Sequence, residues 1–145
     1  MAREQFAFFH PLRVRWAEVD MQGIVFNGHY LTYFDVAFTE YWRATGLPNV
    51  IEQAAAGQEM FARKATIEYQ GPARFDDMLD IGVRCAGFGR TSMRFVVEIH
   101  RGDEHLITGE LIYVYADTAV RKGVPVPDDW RASITRLEKC PPDVQ

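Results

Sequence analysis

The chain has 145 residues, 48% of them apolar and 25% charged, with a formal net charge of −4. That length suits one domain with a real core, and the composition is that of a folded globular protein, not a disordered or fibrous one. The charge excludes a general basic field for nucleic acid and leaves an anionic ligand only a local basic patch, while no apolar run approaches the ~20 residues of a membrane-spanning helix.

The first twelve residues, MAREQFAFFHPL, lack a long apolar stretch and a small-residue cleavage site, so no signal peptide is read there. Leu12, Val14 and Trp16 alternate with Arg13 and Arg15, which predicts a half-buried strand. From Gly28 to Thr45 the period becomes helical: Tyr30, Phe34, Ala37, Phe38, Tyr41 and Trp42 share a face, and Leu31, Tyr33, Val36 and Ala44 widen it. Thr32, Asp35, Thr39 and Arg43 fall on a narrow polar stripe, so the helix is expected to be buried around most of its girth. Gly46 and Pro48 stop it, and Asn49 caps a short second helix, Val50 to Ala56.

Four strands are predicted next: Ala62–Gln70, then one with Leu79, Ile81, Val83 and Cys85 on one face, one with Met93, Phe95, Val97 and Ile99, and Leu106–Ala116. The last is apolar on both faces and reads as central. Gly87-Phe88-Gly89 and Arg101-Gly102-Asp103-Glu104 suit hairpin turns. Asp128 and Asp129 open a terminal helix with Trp130, Ile134 and Leu137 on one face. Tight turns imply antiparallel neighbours. The fold expected is α+β: a curved five-stranded antiparallel sheet wrapped around one long central helix, with an extra C-terminal helix, in a single domain spanning residues 1–145. Such a sheet leaves an edge and an outer face that suit oligomer contacts.

Cys85 and Cys140 have no paired or zinc-binding spacing and are read as reduced thiols of a cytoplasmic protein. The four histidines, His10, His29, His100 and His105, show no metal-ligand spacing, so no metal is expected. The stretch with the most chemistry is Asp20-Met21-Gln22-Gly23-Ile24-Val25-Phe26-Asn27-Gly28-His29-Tyr30. It puts a carboxylate one short apolar loop before the long helix. A helix start carries unpaired N–H groups and the positive end of the dipole, so the pair can supply a nucleophile and an oxyanion cradle. Asn27 is the expected N-cap by residue type, with its backbone N–H still able to face a ligand. Gly23 and Gly28 allow close backbone approach.

The pattern Asp20-x-x-Gly23-x-Val25-x-Asn27-x-x-Tyr30 resembles the signature of the hotdog-fold acyl-CoA thioesterases, in the branch of 4-hydroxybenzoyl-CoA thioesterase and the YbgC-type enzymes. Ala62–Tyr69, Pro72–Asp77 and Gly89-Arg90-Thr91-Ser92 are similar to later elements of that branch, so the resemblance covers Leu12 to Ala116. It implies a hotdog fold and a cofactor-free hydrolase of acyl-CoA, active as a homo-oligomer, a dimer or a tetramer built as a dimer of dimers. It implies that Asp20 is catalytic. Asn27 departs from the histidine that YbgC-type members often carry there.

The expected machinery is Asp20 as nucleophile or general base and the backbone N–H groups of Asn27 and Gly28 as oxyanion donors. Gly23, His29 and Tyr30 are expected beside the substrate. Arg63, Arg90 and Ser92 are expected near the CoA end, with Lys64 and Arg94 available to the same basic patch. Two other readings stand beside this one. A hotdog dehydratase or hydratase needs a histidine and a second acid/base group across the substrate. A non-enzymatic acyl-carrier or partner-binding scaffold needs no catalytic Asp20.

Overall fold

The computed structural model describes residues 2–144; Met1 and Gln145, the ends of the expected 1–145 domain, lie outside them. After a 3-10 turn at Ala2–Gln5 come β1 (Phe8–Arg13), a second 3-10 turn (Trp16–Glu18), α1 (His29–Thr45) and α2 (Val50–Ala55). Then follow β2 (Gln58–Tyr69), β3 (Met78–Phe88), β4 (Ser92–Arg101), β5 (Glu104–Asp117), β6 (Lys122–Gly123), α3 (Asp128–Leu137) and β7 (Asp143–Val144). Five strands pair antiparallel in the order β1-β3-β4-β5-β2. β6 extends the end of β5, and β7 runs parallel to the end of β3.

Alternation decides which face of this sheet meets α1. Leu79, Ile81, Val83 and Cys85 on β3 and Met93, Phe95, Val97 and Ile99 on β4 are all fully buried. Phe38 of α1 sits on them, 4.9 Å from the Phe95 ring and stacked 4.6 Å from Tyr113. β5 lies between β4 and β2, as its two-sided apolar pattern requires. The closest approach is at Gly109, where a Cβ would lie 2.2 Å from the Phe34 ring and 3.1 Å from the Thr66 carbonyl. Helix and sheet meet there because no side chain stands between them.

The helix ends follow local chemistry. Gly46 takes a φ of 75° and donates to the Arg43 carbonyl. Asn49 accepts from the Glu52 N–H at 2.9 Å while Glu52 accepts from the Asn49 N–H at 3.0 Å, a reciprocal cap for α2. α3 packs through Trp130 on Tyr115, 4.6 Å between rings, and on Trp42 at 5.4 Å. Just beyond it, Glu138 accepts from the Tyr41 hydroxyl (2.5 Å) and the Cys85 N–H (2.9 Å). β1 reaches only as far as Val83, so this carboxylate meets an amide the neighbouring strand leaves open.

Several expectations need correction. The first strand ends at Arg13; Val14 is buried but Trp16 is 73% exposed. The cause is the turn that Arg15 and Glu18 close, which breaks the alternation and leaves Trp16 edge-on to Phe75 at 5.3 Å. α1 is buried on one side only: Leu31, Val36 and Ala44 are exposed, because the sheet covers one face of the helix and nothing among the described residues covers the other. The helix begins at His29, with Gly28 in the cap position. β2 starts at Gln58, four residues before the predicted Ala62, because α2 turns directly into it at Gly57 (φ 76°). Gly87 and Phe88 belong to β3 rather than to the turn that follows it.

Gly109→Ala is expected to lower stability by roughly 1–3 kcal/mol through overpacking. Combined with Phe34→Leu, which removes part of the ring it meets, the cost should fall below the sum of the two single changes. Urea midpoints at one fixed protein concentration measure both.

Candidate active site

The loop before α1 is organised by a buried carboxylate. Glu18, 5% exposed, accepts from the Arg15 N–H (2.8 Å), the Arg15 Nε (2.9 Å) and the Tyr33 hydroxyl (2.8 Å), and also pairs with Arg15 Nη2. Burial pushes this carboxyl up, but the hydrogen bonds from Arg15 and Tyr33 outweigh it and hold the group below its ordinary value. Burial raises the Tyr33 hydroxyl, and its bond to Glu18 raises it further, so it stays a donor.

Asp20 follows two residues later. Its Oδ1 accepts from the Gln22 N–H at 2.8 Å, its carbonyl from Gly23 at 2.9 Å, and its own N–H donates to Ile24 at 2.9 Å. Gly23 closes this loop at φ 75°; a Cβ there would meet nothing within 4 Å, so the dihedral, not the space, asks for glycine. Val19 and Val25 form a bridge across the loop, and Phe26 N–H donates to the Glu18 carbonyl at 3.0 Å. The loop then docks on residues 73–75: Val25 N–H to Ala73 O at 2.9 Å and Phe75 N–H to Gly23 O at 3.0 Å. That second loop is held in turn by Arg101, which donates to Pro72 O (3.2 Å) and to the Asp77 carboxylate (2.6 Å). Ala73 N–H donates to the Tyr30 hydroxyl at 3.1 Å, tying the loop to the first turn of α1.

At the helix start, His29 N–H donates to Phe26 O (2.9 Å) and Tyr30 N–H to Asn27 O (3.4 Å). The N–H groups of Asn27 and Gly28 donate to no acceptor among the described residues. Asn27 is not the side-chain cap expected of it: Gly28 holds that position in helical φ/ψ, with no side-chain cap bond. A cavity of ≈ 350 Å³ opens here, lined by Ile24, Val25, Asn27, Tyr30, Tyr69, Gln70, Gly71 and Pro72. Asp20, Gly23, Gly28 and His29 are not among its lining residues; the Asp20 side chain is exposed. His29 instead lies edge-on to Phe26 at 5.9 Å.

The basic residues separate. Arg63 and Ser92 line a second recess of ≈ 270 Å³ with Gly87, Gly89, Arg94 and Asp143. Arg63 stands at the irregularity between Ala62 and Lys64 in the pairing of β2 with β5, and a bulge re-aims a side chain in this way. Arg94 faces Glu110 at 3.5 Å and Asp143 at 4.0 Å. Arg90 is exposed and outside the lining, its carbonyl taken by Val126 and Arg131. Ser92 and Arg94 alternate with the inward Met93 and Phe95, so this recess is on the outer face of the sheet, whereas the helix-start cavity is on the face that carries α1.

Sequence reading missed Glu18, Tyr33, Arg101 and Asp77, which position the loop from a distance. Glu18 carried a local signal, because an acidic residue three places after Arg15 can close such a turn. The contact between Tyr33 and Glu18 carried none. Also missed is a cluster on the outer face, Glu98, His100 and His105, whose ligand atoms lie within 4.8 Å of one another.

The family model of the thioesterase superfamily matches residues 22–108. The chain belongs to that superfamily. A relative from Escherichia coli O6:H1, "Acyl-CoA thioester hydrolase YbgC", is 30% identical over 123 residues, covering 83% of this chain and 90% of the relative. A thioesterase from Thermus thermophilus, solved with coenzyme A and Zn, superposes with a TM-score of 0.83 at 25% identity over 95% of this chain and 98% of its own. A 1,4-dihydroxy-2-naphthoyl-CoA thioesterase from Synechocystis gives a TM-score of 0.81 at 20% identity over 88% and 94%, a likeness of fold. The architecture is the hotdog fold expected from the sequence. Among the described residues no helix is long and apolar enough to cross a membrane.

Glu18→Gln is expected to lower stability at pH 7 by about 1–3 kcal/mol, the cost of disturbing a buried, charge-assisted hydrogen-bond set. Because the folded-state carboxyl sits below its ordinary value of 4.5, the wild-type advantage is full above that pH and is lost as pH falls through the folded value. Urea midpoints of both proteins between pH 7 and pH 3 should therefore converge.

Proposed function

We propose that the chain hydrolyses acyl-CoA thioesters to free acid and CoA. The observation that carries the mechanism is the pair of N–H groups at Asn27 and Gly28 that no acceptor among the described residues engages, at the positive end of α1 and beside a cavity that Asn27 lines. A thioester carbonyl placed there would develop its negative charge against preorganised donors. The leaving thiol has a pKa of about 8.5 and needs little general-acid help, so the remaining requirement is a nucleophile or base. Asp20 is assigned that role, attacking directly or deprotonating water. Among the described residues its side chain is bonded to the Gln22 N–H alone, which fixes the carboxylate on the loop and leaves acceptor capacity free.

Gly23 and Tyr30 are assigned to substrate binding through the loop and cavity they build, and His29 from its half-buried place at the start of α1. Arg63 and Ser92, with Arg94, are assigned to the phosphate-bearing end of CoA; Arg90 joins them from outside the recess. An oligomer, either a dimer or a dimer of dimers, is part of the proposal. Trp16, Met21, Phe26, Leu31, Tyr69 and Phe75 are large, exposed and gathered around the Asp20 loop, its supporting loop and the helix start. β2 is a long edge strand with no partner on its outer side among the described residues. A second copy on this surface would enclose the carboxylate that is exposed in one chain. Work in the cytoplasm fits the two free cysteines.

Thiol release from a panel of acyl- and aroyl-CoAs tests the reaction. Asp20→Asn should reduce kcat by at least ~10²-fold, as loss of a positioned base or nucleophile does; equal rates in the two proteins would remove Asp20 from the mechanism. Gly28 has φ −67°, a value proline also adopts, so Gly28→Pro deletes one N–H while asking little of that dihedral. It should lower kcat by roughly 10²–10³-fold while Gly28→Ala, which keeps the N–H, stays near wild type. Light scattering should give a multiple of 16.6 kDa. A monomer alone would contradict the oligomer.

A further inference from the structure

The outer face of the sheet carries a group of ligating side chains that the hydrolytic proposal does not use. Glu98 and His100 are on β4, and the register sets His100 opposite His105 of β5. Glu98 and His100 alternate with the inward Val97 and Ile99, so they point away from α1. A carboxylate and an imidazole on an outer face would ordinarily be solvated. Here Glu98 and His100 are each 4% exposed. Arg3, Phe6 and Phe9 share with them an open recess of ≈ 760 Å³, which Glu4, Asp103, His105 and Lys139 also line.

Burying such groups is costly unless each is paired or bound to a metal. The pairing within the group is incomplete. Glu98 Oε1 is 2.9 Å from His100 Nε2 and 4.0 Å from His105 Nε2. His105 Nε2 is also held by the Ile107 carbonyl at 3.0 Å and the Thr108 hydroxyl at 2.8 Å. The two rings stack with centroids 4.8 Å apart. Both rings are thus anchored through Nε2, and the buried Nδ1 of His100 has no partner among the described residues. One donor atom from each of the three side chains lies within 4.8 Å of the others. Ligands held at about 2.0–2.2 Å from one ion stand roughly 3–4 Å apart, so small side-chain rotations would bring the set to that geometry. Two imidazoles and a carboxylate suit a borderline ion such as Zn²⁺ better than Ca²⁺ or Mg²⁺, which favour all-oxygen ligands. Arg3, a cation in the same recess, is directed to Asp80 at 3.0 Å and over the Phe9 ring at 4.6 Å.

We propose that Glu98, His100 and His105 bind a divalent transition-metal ion of the zinc class, with the remaining coordination position open to water or Asp103 in the recess. The ion joins β4 to β5 beneath the N-terminal segment and uses none of the residues assigned to thioester hydrolysis. Tag-free protein, stripped with a chelator, is titrated with Co²⁺ as a spectroscopic probe and with Zn²⁺ by calorimetry. The expected result is one ion per chain, a visible Co²⁺ absorption without thiolate bands that Zn²⁺ abolishes, and a higher melting temperature with Zn²⁺. His105→Gln and His100→Asn should each weaken Zn²⁺ binding by more than ~10-fold, while His10→Gln and Cys140→Ser leave it unchanged. No saturable binding to the wild type, thiolate bands, or binding unaltered in His105→Gln would overturn the proposal. A loss of thioesterase activity in Asp20→Asn bears on neither result.

Discussion

Everything in this molecule depends on how closely α1 lies against the sheet. At Gly109 the Phe34 ring occupies the space a side chain would fill. Phe38 continues the contact onto Phe95 and Tyr113. A helix seated this deeply has a fixed direction and a fixed start. The loop before it must then cross from the end of β1 to that start within a short run of residues. Interiors packed at crystal-like density transmit such constraints because they have little room to relax. The position of two backbone N–H groups at Asn27 and Gly28 is therefore a consequence of a contact made between Phe34 and Gly109.

The loop is anchored in the core by Val25 and shaped along the rest of its course by hydrogen bonds. Glu18 is buried for that purpose, and its carboxylate ties the Arg15 backbone and side chain to Tyr33 of α1. Asp20, two residues on, remains exposed with a single backbone donor among the described residues. Two acidic residues close together in the chain thus differ in role through environment. One is desolvated and fully satisfied, and it positions the loop. The other keeps unused acceptor capacity, which the role proposed for it requires. Arg101 and Asp77 extend the same support from the β4–β5 hairpin to the loop on which the Asp20 segment docks.

The two faces of the sheet are used differently. The inner face is almost wholly apolar and holds the helix. The outer face carries the basic recess of Arg63 and Arg94 at one place and, at another, buried Glu98 and His100 beside half-buried His105. Polar side chains can be concentrated there because the outer face is not needed for the core, while short covering segments at the two chain ends exclude water locally. Phe6 and Phe9 do this over the histidines, and Gly82 makes room for both rings. α3 and Glu138 do the corresponding work at the edge that β1 leaves open beside Cys85.

The order of the five main strands and three α-helices, the inward faces of β3 and β4, the central place of β5, the Gly46 stop and the Asn49 cap were legible in the sequence, because each follows from the spacing of residues close together in the chain, whereas the short strands β6 and β7 were not. The Asp20–Tyr30 stretch was legible as the loop that leads into α1 for the same reason. Tertiary structure alone decided that Trp16 leaves the strand, that α1 is covered on one side only, and that Gly28 rather than Asn27 caps it. It alone separated Arg63 from Arg90, and it alone brought Glu98, His100 and His105 together under the N-terminal segment. Local periodicity reports which way a side chain points along its own element. Which distant group it meets is set by strand register and by the seating of the helix, and neither has a signature in any short stretch of residues.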